Sequence, residues 1–236
     1  MNHDEDGRLA SLLAKHVQSK PLGDAVYDTL REAITTGVLR ESERISGNSL
    51  AATLRASRTP IREALRRLES ERFVAAVPGG FVVTRLMPED IEEIYTLRVA
   101  LEGCAASLAA RYRTPSDLML LETIHQAFCE AEQAGDVQTL AKLNTRFHDA
   151  ICAAAKSGRL SEMVRLLQES VRRLGRTTLE SAERRRQSLV EHGQLLAAIR
   201  DGDAQRAEAV ARAHMEHAHE ARLMQYHIIL SRPQAG

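Results

Sequence analysis

The chain has 236 residues, with 32 basic and 32 acidic side chains, so its formal net charge is zero. A neutral chain cannot bind nucleic acid as a general polycation, so any DNA-binding surface must be local. Cys104, Cys129 and Cys152 form an odd, scattered set, which excludes a disulfide framework. The acidic N-terminus and the lack of a long apolar run predict a cytoplasmic protein with no membrane partner.

Helical patterns dominate the first part of the chain. Residues 1–20 are predicted to be a lead-in, with a short helix over 3–18 that frays at its acidic start. A helix with one buried face follows and ends at Gly37, because apolar residues recur every four positions at Leu22, Val26, Leu30 and Ile34. The stretch ISGNSLAATL predicts a third, short helix, capped by Ser46 or Asn48.

The segment ASRTPIREALRRLE, residues 56–69, combines a helix start with a basic face. Pro60 lacks an N–H, which costs little in the first turn, and Ser57 or Thr59 can cap the free amides or bind a phosphate. One face carries Arg58, Arg62 and Arg66, and the other carries Ile61, Leu65 and Leu68. A recognition helix in the DNA major groove needs this division. A solvated basic face on an ordinary helix has the same spacing.

The hydrophobic period changes after this helix. FVAAV and FVVTRL flank Pro78-Gly79-Gly80, which predicts a β-hairpin, so residues 21–86 have the outline of a winged helix-turn-helix. No strand is predicted beyond residue 86, and helical segments are expected near 88–112, 115–134, 136–156, 159–178, 180–201 and 203–229. The predicted fold is therefore mainly α, with an all-helical bundle over 87–230 and a tail at 231–236.

Histidine spacing in the second domain indicates a metal site. Asn144 and His148 lie four residues apart, so one helix face carries both. His192 and His214 would be about 33 Å apart on one straight helix. The sequence Asp201-Gly202-Asp203 interrupts the segment midway, and a helical hairpin there would bring the two histidines level. Three imidazoles and one carbonyl oxygen can bind a divalent metal, zinc or nickel, and leave positions open for a ligand. Histidines without a metal fit the same spacing.

Two sets of charged residues in this domain have alternative interpretations. Arg98 and Glu102, four residues apart, form either a surface ion pair worth a few tenths of a kcal/mol or a site where Arg98 faces a cavity and binds an effector carboxylate. A solvated helix face is predicted for the basic stretch of Arg172, Arg173, Arg176 and residues 184–186.

The run AVYDTLREAITTGVL…SRTPIREALRRLESERFV…VPGGFVV closely resembles the N-terminal domain of GntR-family bacterial transcription regulators, over residues from about 21 to 86. The resemblance implies operator contacts by Arg58, Thr59 and Arg62, with Ser57 and Pro60 alongside, and a minor-groove approach by Gly79 or Gly80. The chain departs from the family at Asn48, where members often have a DNA-contacting arginine, and in a wing one residue shorter. It also has Arg55 in place of the turn glycine, and a left-handed conformation costs arginine more.

Residues from about 90 to 220 resemble the FCD effector domain of the FadR subfamily, through LRVALEGCAASLAAR, NTRFHDAI and EHGQLLAAIRDGDAQRAEAVARAH. Metal-binding members use an Asp, sometimes an Asn, four residues before a histidine, plus two later histidines. That pattern implies Asn144, His148, His192 and His214 as ligands. An Asn brings one negative charge less than an Asp, so metal affinity is expected to be lower or to depend more on an anionic effector. Arg159 stands where the family commonly has asparagine.

The patterns and the resemblance together predict a ligand-responsive transcription regulator, a homodimer on a two-fold-symmetric operator with a small organic acid as effector. No HExxH motif is present, and no acid is spaced as a general base beside the predicted ligands, so no catalytic residue is assigned and no enzyme is expected. A metal-dependent helical enzyme or a metal sensor, fused to a DNA-binding head, is the alternative.

Overall fold

The computed structural model describes residues 3–172 and 177–230, and they form two compact units that divide the chain between Leu86 and Met87. The predicted tail at 231–236 and the predicted basic positions Arg173 and Arg176 lie outside the described residues. Within the described ranges, every helix is too short or too polar to span a lipid bilayer.

The first unit is a helical domain with a small sheet. Its helices are α1 (His3–Val17), α2 (Leu22–Thr35), α3 (Gly47–Thr53) and α4 (Arg58–Ser70), and its strands are β1 (Arg44–Ile45), β2 (Val74–Val77) and β3 (Gly80–Val83). The sheet is antiparallel, in the order β1-β3-β2. The predicted hairpin and the winged helix-turn-helix are confirmed. Strand β1 was not predicted, because two residues are too few to give an alternating pattern.

The core of this unit lies between α2 and α4. Val26, Leu30 and Ile34 of α2 are buried, and α4 contributes Ile61 and Leu65 to the same hydrophobic cluster. Burial of such side chains contributes about 1.5–3 kcal/mol each. Leu22 was predicted to share the buried face, but it is 45% exposed because it begins α2, one turn before the covered part of the helix.

Helix α1 belongs to this core, which differs from the frayed lead-in that the acidic start predicts. Leu9 is fully buried and Leu13 is buried beside it. The acidic start also finds partners, since Asp6 Oδ1 accepts a hydrogen bond from Thr53 Oγ1 at 2.9 Å. Glu32 of α2 accepts hydrogen bonds from Lys15 Nζ at 3.0 Å and from His16 Nε2 at 2.8 Å. These contacts join α1 to α2 and α3.

The second unit is an all-helical bundle, as predicted. Its helices are α5 (Pro88–Tyr112), α6 (Pro115–Gln133), α7 (Val137–Ala154), α8 (Gly158–Arg172), α9 (Ala182–Asp201) and α10 (Ala204–Leu230). Helix α8 ends earlier than the predicted limit of 178, and a short 3₁₀ helix at Thr178–Glu180 precedes α9. Gly202, at a φ of +75°, ends α9 in a left-handed conformation and opens the hairpin into α10.

Helices α5 and α10 pack along each other over much of their length. Small residues allow this close approach, because a Cβ on Gly103 would lie only 2.7 Å from Cγ of Arg212. Ala105 and Ala109 of α5 belong to the hydrophobic core, which also includes Phe128 of α6 and Phe147 of α7. This core positions the histidines of α7, α9 and α10.

Candidate functional site

The exposed face of α4 presents uncompensated positive charge. Arg58, Arg62 and Arg66 are exposed, and within the part of the chain that the structure describes they form no ion pair or side-chain hydrogen bond. Arg67 differs, because its guanidinium lies 3.7 Å from the centre of the Tyr27 ring and its Nε lies 3.5 Å from Glu71 Oε1. Three free guanidinium groups on one helix face can donate to guanine edges and phosphates.

The start of α4 also faces outward. Ser57 occupies the N-cap position, but its hydroxyl makes no capping hydrogen bond, and Thr59, the second residue of the helix, is exposed. Pro60 is the third residue of α4, where its missing N–H leaves no helical bond unmade. The free amides and hydroxyls at this end suit an anion such as a DNA phosphate.

The two glycines of the wing have different roles. Gly79 is exposed at the tip, at a φ of +87° that favours glycine. Gly80 lies in β3, where a Cβ would be 2.4 Å from the Ile45 carbonyl oxygen, so it permits the pairing of β3 with β1. Arg44 Nη2 donates to the Pro78 carbonyl oxygen at 2.8 Å and holds the tip against β1.

In the second unit, the structure brings three of the predicted metal ligands together. His148 of α7, His192 of α9 and His214 of α10 are buried, and their ligand atoms all lie within 4.8 Å of one another. The hairpin at Gly202 places His192 and His214 level, as the interrupted pattern predicted. Asn144 is half-buried, one helical turn before His148.

Carboxylates fix the tautomers of two of these histidines. His148 Nδ1 lies 2.9 Å from Glu102 Oε2, and His214 Nδ1 lies 2.5 Å from Glu191 Oε2. Because a carboxylate only accepts, we infer that both Nδ1 atoms carry the proton. The unprotonated Nε2 atoms then face each other at 3.2 Å. Two nitrogens bound to one tetrahedral zinc would be about 3.3 Å apart, so the spacing fits a shared cation.

His192 completes the set of three nitrogen donors, and its ring nitrogens have no hydrogen-bond partner. It is fully buried, and neither of its ring nitrogens makes a hydrogen bond. Its ring stacks on Phe147, with centroids 4.4 Å apart. Burial lowers its pKa well below the ordinary value, and the neighbouring His214 and His148 lower it further, so the imidazole is neutral. A buried polar group without a hydrogen bond costs about 1–3 kcal/mol, which a metal bond would offset.

Two buried ion pairs surround the histidines. Arg98 Nε donates to Glu102 Oε1 at 2.8 Å, its Nη2 lies 2.8 Å from the same oxygen, and both residues are buried. Burial by itself raises the pKa of Glu102, but Arg98 and His148 outweigh it and lower the pKa to about 2. The surface alternative for this pair is therefore wrong. Arg184 donates from Nη1 to Glu191 Oε2 at 2.8 Å.

Arg184 corrects a second prediction, because it is 4% exposed where a solvated helix face was expected. Arg172 and Arg186 are exposed, as that interpretation requires. The local pattern could not separate Arg184 from its neighbours, since its partners, Glu191 and the carbonyl oxygen of His214, lie seven and thirty residues away.

The sequence pattern also missed the acids beside the ligands. Glu191 directly precedes His192 and contacts both His214 and His217. Its Oε1 lies 2.6 Å from Nδ1 of His217. The adjacency of Glu191 to His192 was the available signal for Glu191. Glu102 was considered only as a partner of Arg98. Each acid holds an imidazole Nδ1 and pairs with an arginine, so each orients a ligand and is not free to act as a general base.

A small cavity adjoins the histidines. Its polar lining is Glu102, His148 and His214, and apolar side chains such as Ile151 and Leu195 form the rest. It offers about 10 Å³ to the centre of a water molecule. That volume holds about one water molecule, so an organic acid can enter only if side chains move.

The two units match two sequence families. The model of the FCD domain matches residues 93–217, and the model of the bacterial regulatory proteins of the gntR family matches residues 22–83. An HTH-type transcriptional regulator from the TAR-I ttuE-ttuC' intergenic region of Agrobacterium vitis is 34% identical over 151 residues, which are 62% of this chain and 88% of that protein.

Similarity extends over both units in other relatives. The HTH-type transcriptional regulator YdhC of Bacillus subtilis is 27% identical over 193 residues, 81% of this chain and 86% of that protein. The solved structure of McbR/YncC from E. coli superposes with a TM-score of 0.70 at 27% identity, covering 88% of this chain and 99% of that chain. These matches are to transcription regulators and not to enzymes.

Proposed function

Because this chain belongs to the GntR family of bacterial transcription regulators and carries an FCD domain, we propose that it regulates transcription in response to a small carboxylate ligand. It acts in the cytoplasm. It binds a palindromic operator as a homodimer, because one winged module makes too few base contacts for useful specificity. The proposed DNA contacts are Ser57, Arg58, Thr59, Pro60 and Arg62 of the α4 region, with Gly79 and Gly80 of the wing.

The proposed cofactor is a divalent ion, zinc or nickel, bound by His148, His192, His214 and the side-chain oxygen of Asn144. The observation that carries this proposal is His192, whose two ring nitrogens are fully buried without a hydrogen-bond partner. When bound, the ion supplies a positive centre with coordination positions that a ligand oxygen can occupy. Glu102 and Glu191 orient two of the imidazoles toward it.

Charge balance favours an anionic effector. The Arg98–Glu102 and Arg184–Glu191 pairs each sum to zero, and the proposed ligands are neutral, so a bound dication leaves two positive charges uncompensated in a buried site. A carboxylate supplies the opposite charge. Arg98 binds the effector through those guanidinium donors that do not contact Glu102.

The small cavity provides a physical basis for a response to the ligand. An acid larger than a water molecule must displace side chains on entry, so the ligand-bound domain differs in shape from the free one. The ligand changes DNA affinity only as far as its own affinity differs between the two arrangements of the dimer.

The test is a thermal-shift panel of small mono-, di- and tricarboxylates on the full chain, before chelation, after chelation, and after restoration of zinc or nickel. We expect one acid to raise the melting temperature only while the metal is present. His192→Ala should lose both metal and acid response, whereas His125→Ala, a substitution of a half-buried histidine outside the cluster, should keep them. Equal stabilisation by the acid with and without metal would contradict the metal's role.

A metal sensor is the second candidate function. The cavity favours it, because about 10 Å³ suffices for one water molecule beside an ion held by the histidines but not for an organic acid. Titration of operator binding with zinc or nickel, in the absence of any carboxylate, distinguishes the two functions. A change in affinity with metal alone would support the sensor.

A further inference from the structure

We propose that Arg55, in the turn between α3 and α4, contacts a phosphate of the operator DNA. The inference rests on the proposed DNA-binding role of α4. It adds a residue in a strained conformation to the proposed contacts, and it accounts for an arginine at a position that disfavours one.

The turn forces a left-handed backbone on Arg55. Its φ is +48°, a conformation that crowds the Cβ of every residue except glycine. Two hydrogen bonds close the turn, from the Arg55 amide to the Ala52 carbonyl oxygen at 3.3 Å and from the Ala56 amide to the Ala51 carbonyl oxygen at 3.1 Å. Leu54 is buried before it. The packing therefore sets this conformation whichever side chain is present.

The Arg55 side chain makes no contact that would offset this strain in the described residues. It is exposed, and in the described parts of the chain it makes no ion pair and no side-chain hydrogen bond. Lys156 is a useful contrast. It also has a positive φ, of +54°, but its Nζ donates to Asp117 Oδ2 at 2.7 Å. For a long, charged side chain that the fold does not use, such strain favours an external partner of opposite charge.

The position of Arg55 identifies that partner as a phosphate. It lies three residues before Arg58 and two before the outward-facing Ser57, close to the N-terminal end of α4, where backbone amides are also free. When a recognition helix enters the major groove, the turn before it lies near the sugar–phosphate backbone. An arginine there fixes the position of the protein on DNA without reading a base.

The test uses the full chain and a duplex that the wild-type chain has selected from a random-sequence library. Arg55→Gly should raise the melting temperature by about 2–5 °C, because it relieves the left-handed strain. The same variant should lose about tenfold in affinity for the duplex. The slope of log affinity against log salt should fall in magnitude by about 0.9 per bound chain. A more stable protein that binds DNA less well is the expected signature.

Three further variants separate strain from charge. Arg55→Lys should keep most of the affinity, and Arg55→Asn should lose it although asparagine tolerates the left-handed conformation. Ser42→Gly relieves a similar strain in the same unit, at a φ of +64°, and should raise the melting temperature without changing affinity. Arg62→Ala reports separately on the role of α4.

The outcomes distinguish the two levels of the proposal. Unchanged affinity and salt slope in Arg55→Gly, with a loss in Arg62→Ala, would overturn the role of Arg55 and leave that of α4. Unchanged affinity in both variants would overturn the DNA-binding face itself. A lower melting temperature in Arg55→Gly would show that the arginine serves the fold, and would also overturn the inference.

Discussion

Neighbouring arginines of α4 have different surroundings, and substitution should separate their proposed roles. Arg62→Ala removes an exposed guanidinium with no partner in the described residues, while alanine preserves the helix. We expect a loss of about 1–3 kcal/mol of binding free energy on the selected duplex, with an unchanged melting temperature. Fluorescence anisotropy at matched salt measures the affinity.

Arg67→Ala is the matched control on the same helix. Arg67 covers the Tyr27 ring and faces Glu71, so its loss should lower the melting temperature and leave the affinity of the folded protein unchanged. If Arg62→Ala bound the duplex as tightly as the wild type, the proposed face of α4 would be wrong.

Single residues could be predicted where the signal is local. The spacing of Asn144, His148, His192 and His214, together with the interruption of the helical pattern at residues 201–203, was enough to expect a cluster. Three of its members, the histidines, meet in the structure. The partners of these histidines could not be predicted in the same way. His148 and Glu102 come together only through the packing of α5 against α7, and no pattern along one helix encodes that contact. A buried arginine such as Arg184 has the same local sequence as an exposed one.

Secondary-structure elements could be predicted where their ends carry caps or breakers. Pro88 and the pair Thr114–Asp117 mark the starts of α5 and α6, and Gly202 marks the end of α9. The predicted end of α8 at 178 was too late, because Thr178 already belongs to the short 3₁₀ helix that precedes α9. Helix α1 was assigned to a lead-in because its contacts with α2 and α3 join residues far apart in the sequence, and no local pattern in residues 3–18 reveals them.

The start of α6 provides a pH-dependent test. Asp117 Oδ2 accepts hydrogen bonds from Lys156 Nζ at 2.7 Å and from the Thr114 amide at 2.8 Å, and these bonds lower its pKa from 3.8 to about 2. The stability that they contribute is complete above pH 3.8 and is lost as the pH falls toward 2.

Asp117→Asn should therefore lower the free energy of unfolding by about 0.5–1 kcal/mol near neutral pH and by less in acid. Thermal melts over a pH series measure the difference between variant and wild type. Glu183→Gln, at an exposed acid in the first turn of α9, serves as the control. A difference that stayed constant through the acid range would contradict the proposed hydrogen bonds.

At the scale of the whole molecule, we expect a chain with no net charge to bind DNA through a few local contacts, so that two DNA-binding domains are needed for tight binding. We expect that scrambling one half-site of the selected duplex lowers affinity by about a hundredfold. The second DNA-binding domain then has no specific site to bind, so the dimer loses the benefit of a high effective concentration at that half-site. Equal affinity for half and full sites would show that each chain binds alone. Sedimentation of the complexes gives the number of chains bound.

Burial of the histidine cluster has a consequence for the rate at which a metal would exchange. The three imidazoles are 5%, 0% and 2% exposed, so a chelator in solution cannot reach a bound ion directly. The ion would leave only when α7, α9 and α10 separate locally, and that opening would set the rate. Metal loss to excess chelator should therefore proceed at a rate independent of chelator concentration, whereas a rate that rises with chelator would show direct access. An ion trapped in this way would persist through fluctuations in free metal, so its occupancy could not follow changes faster than the opening of the helices.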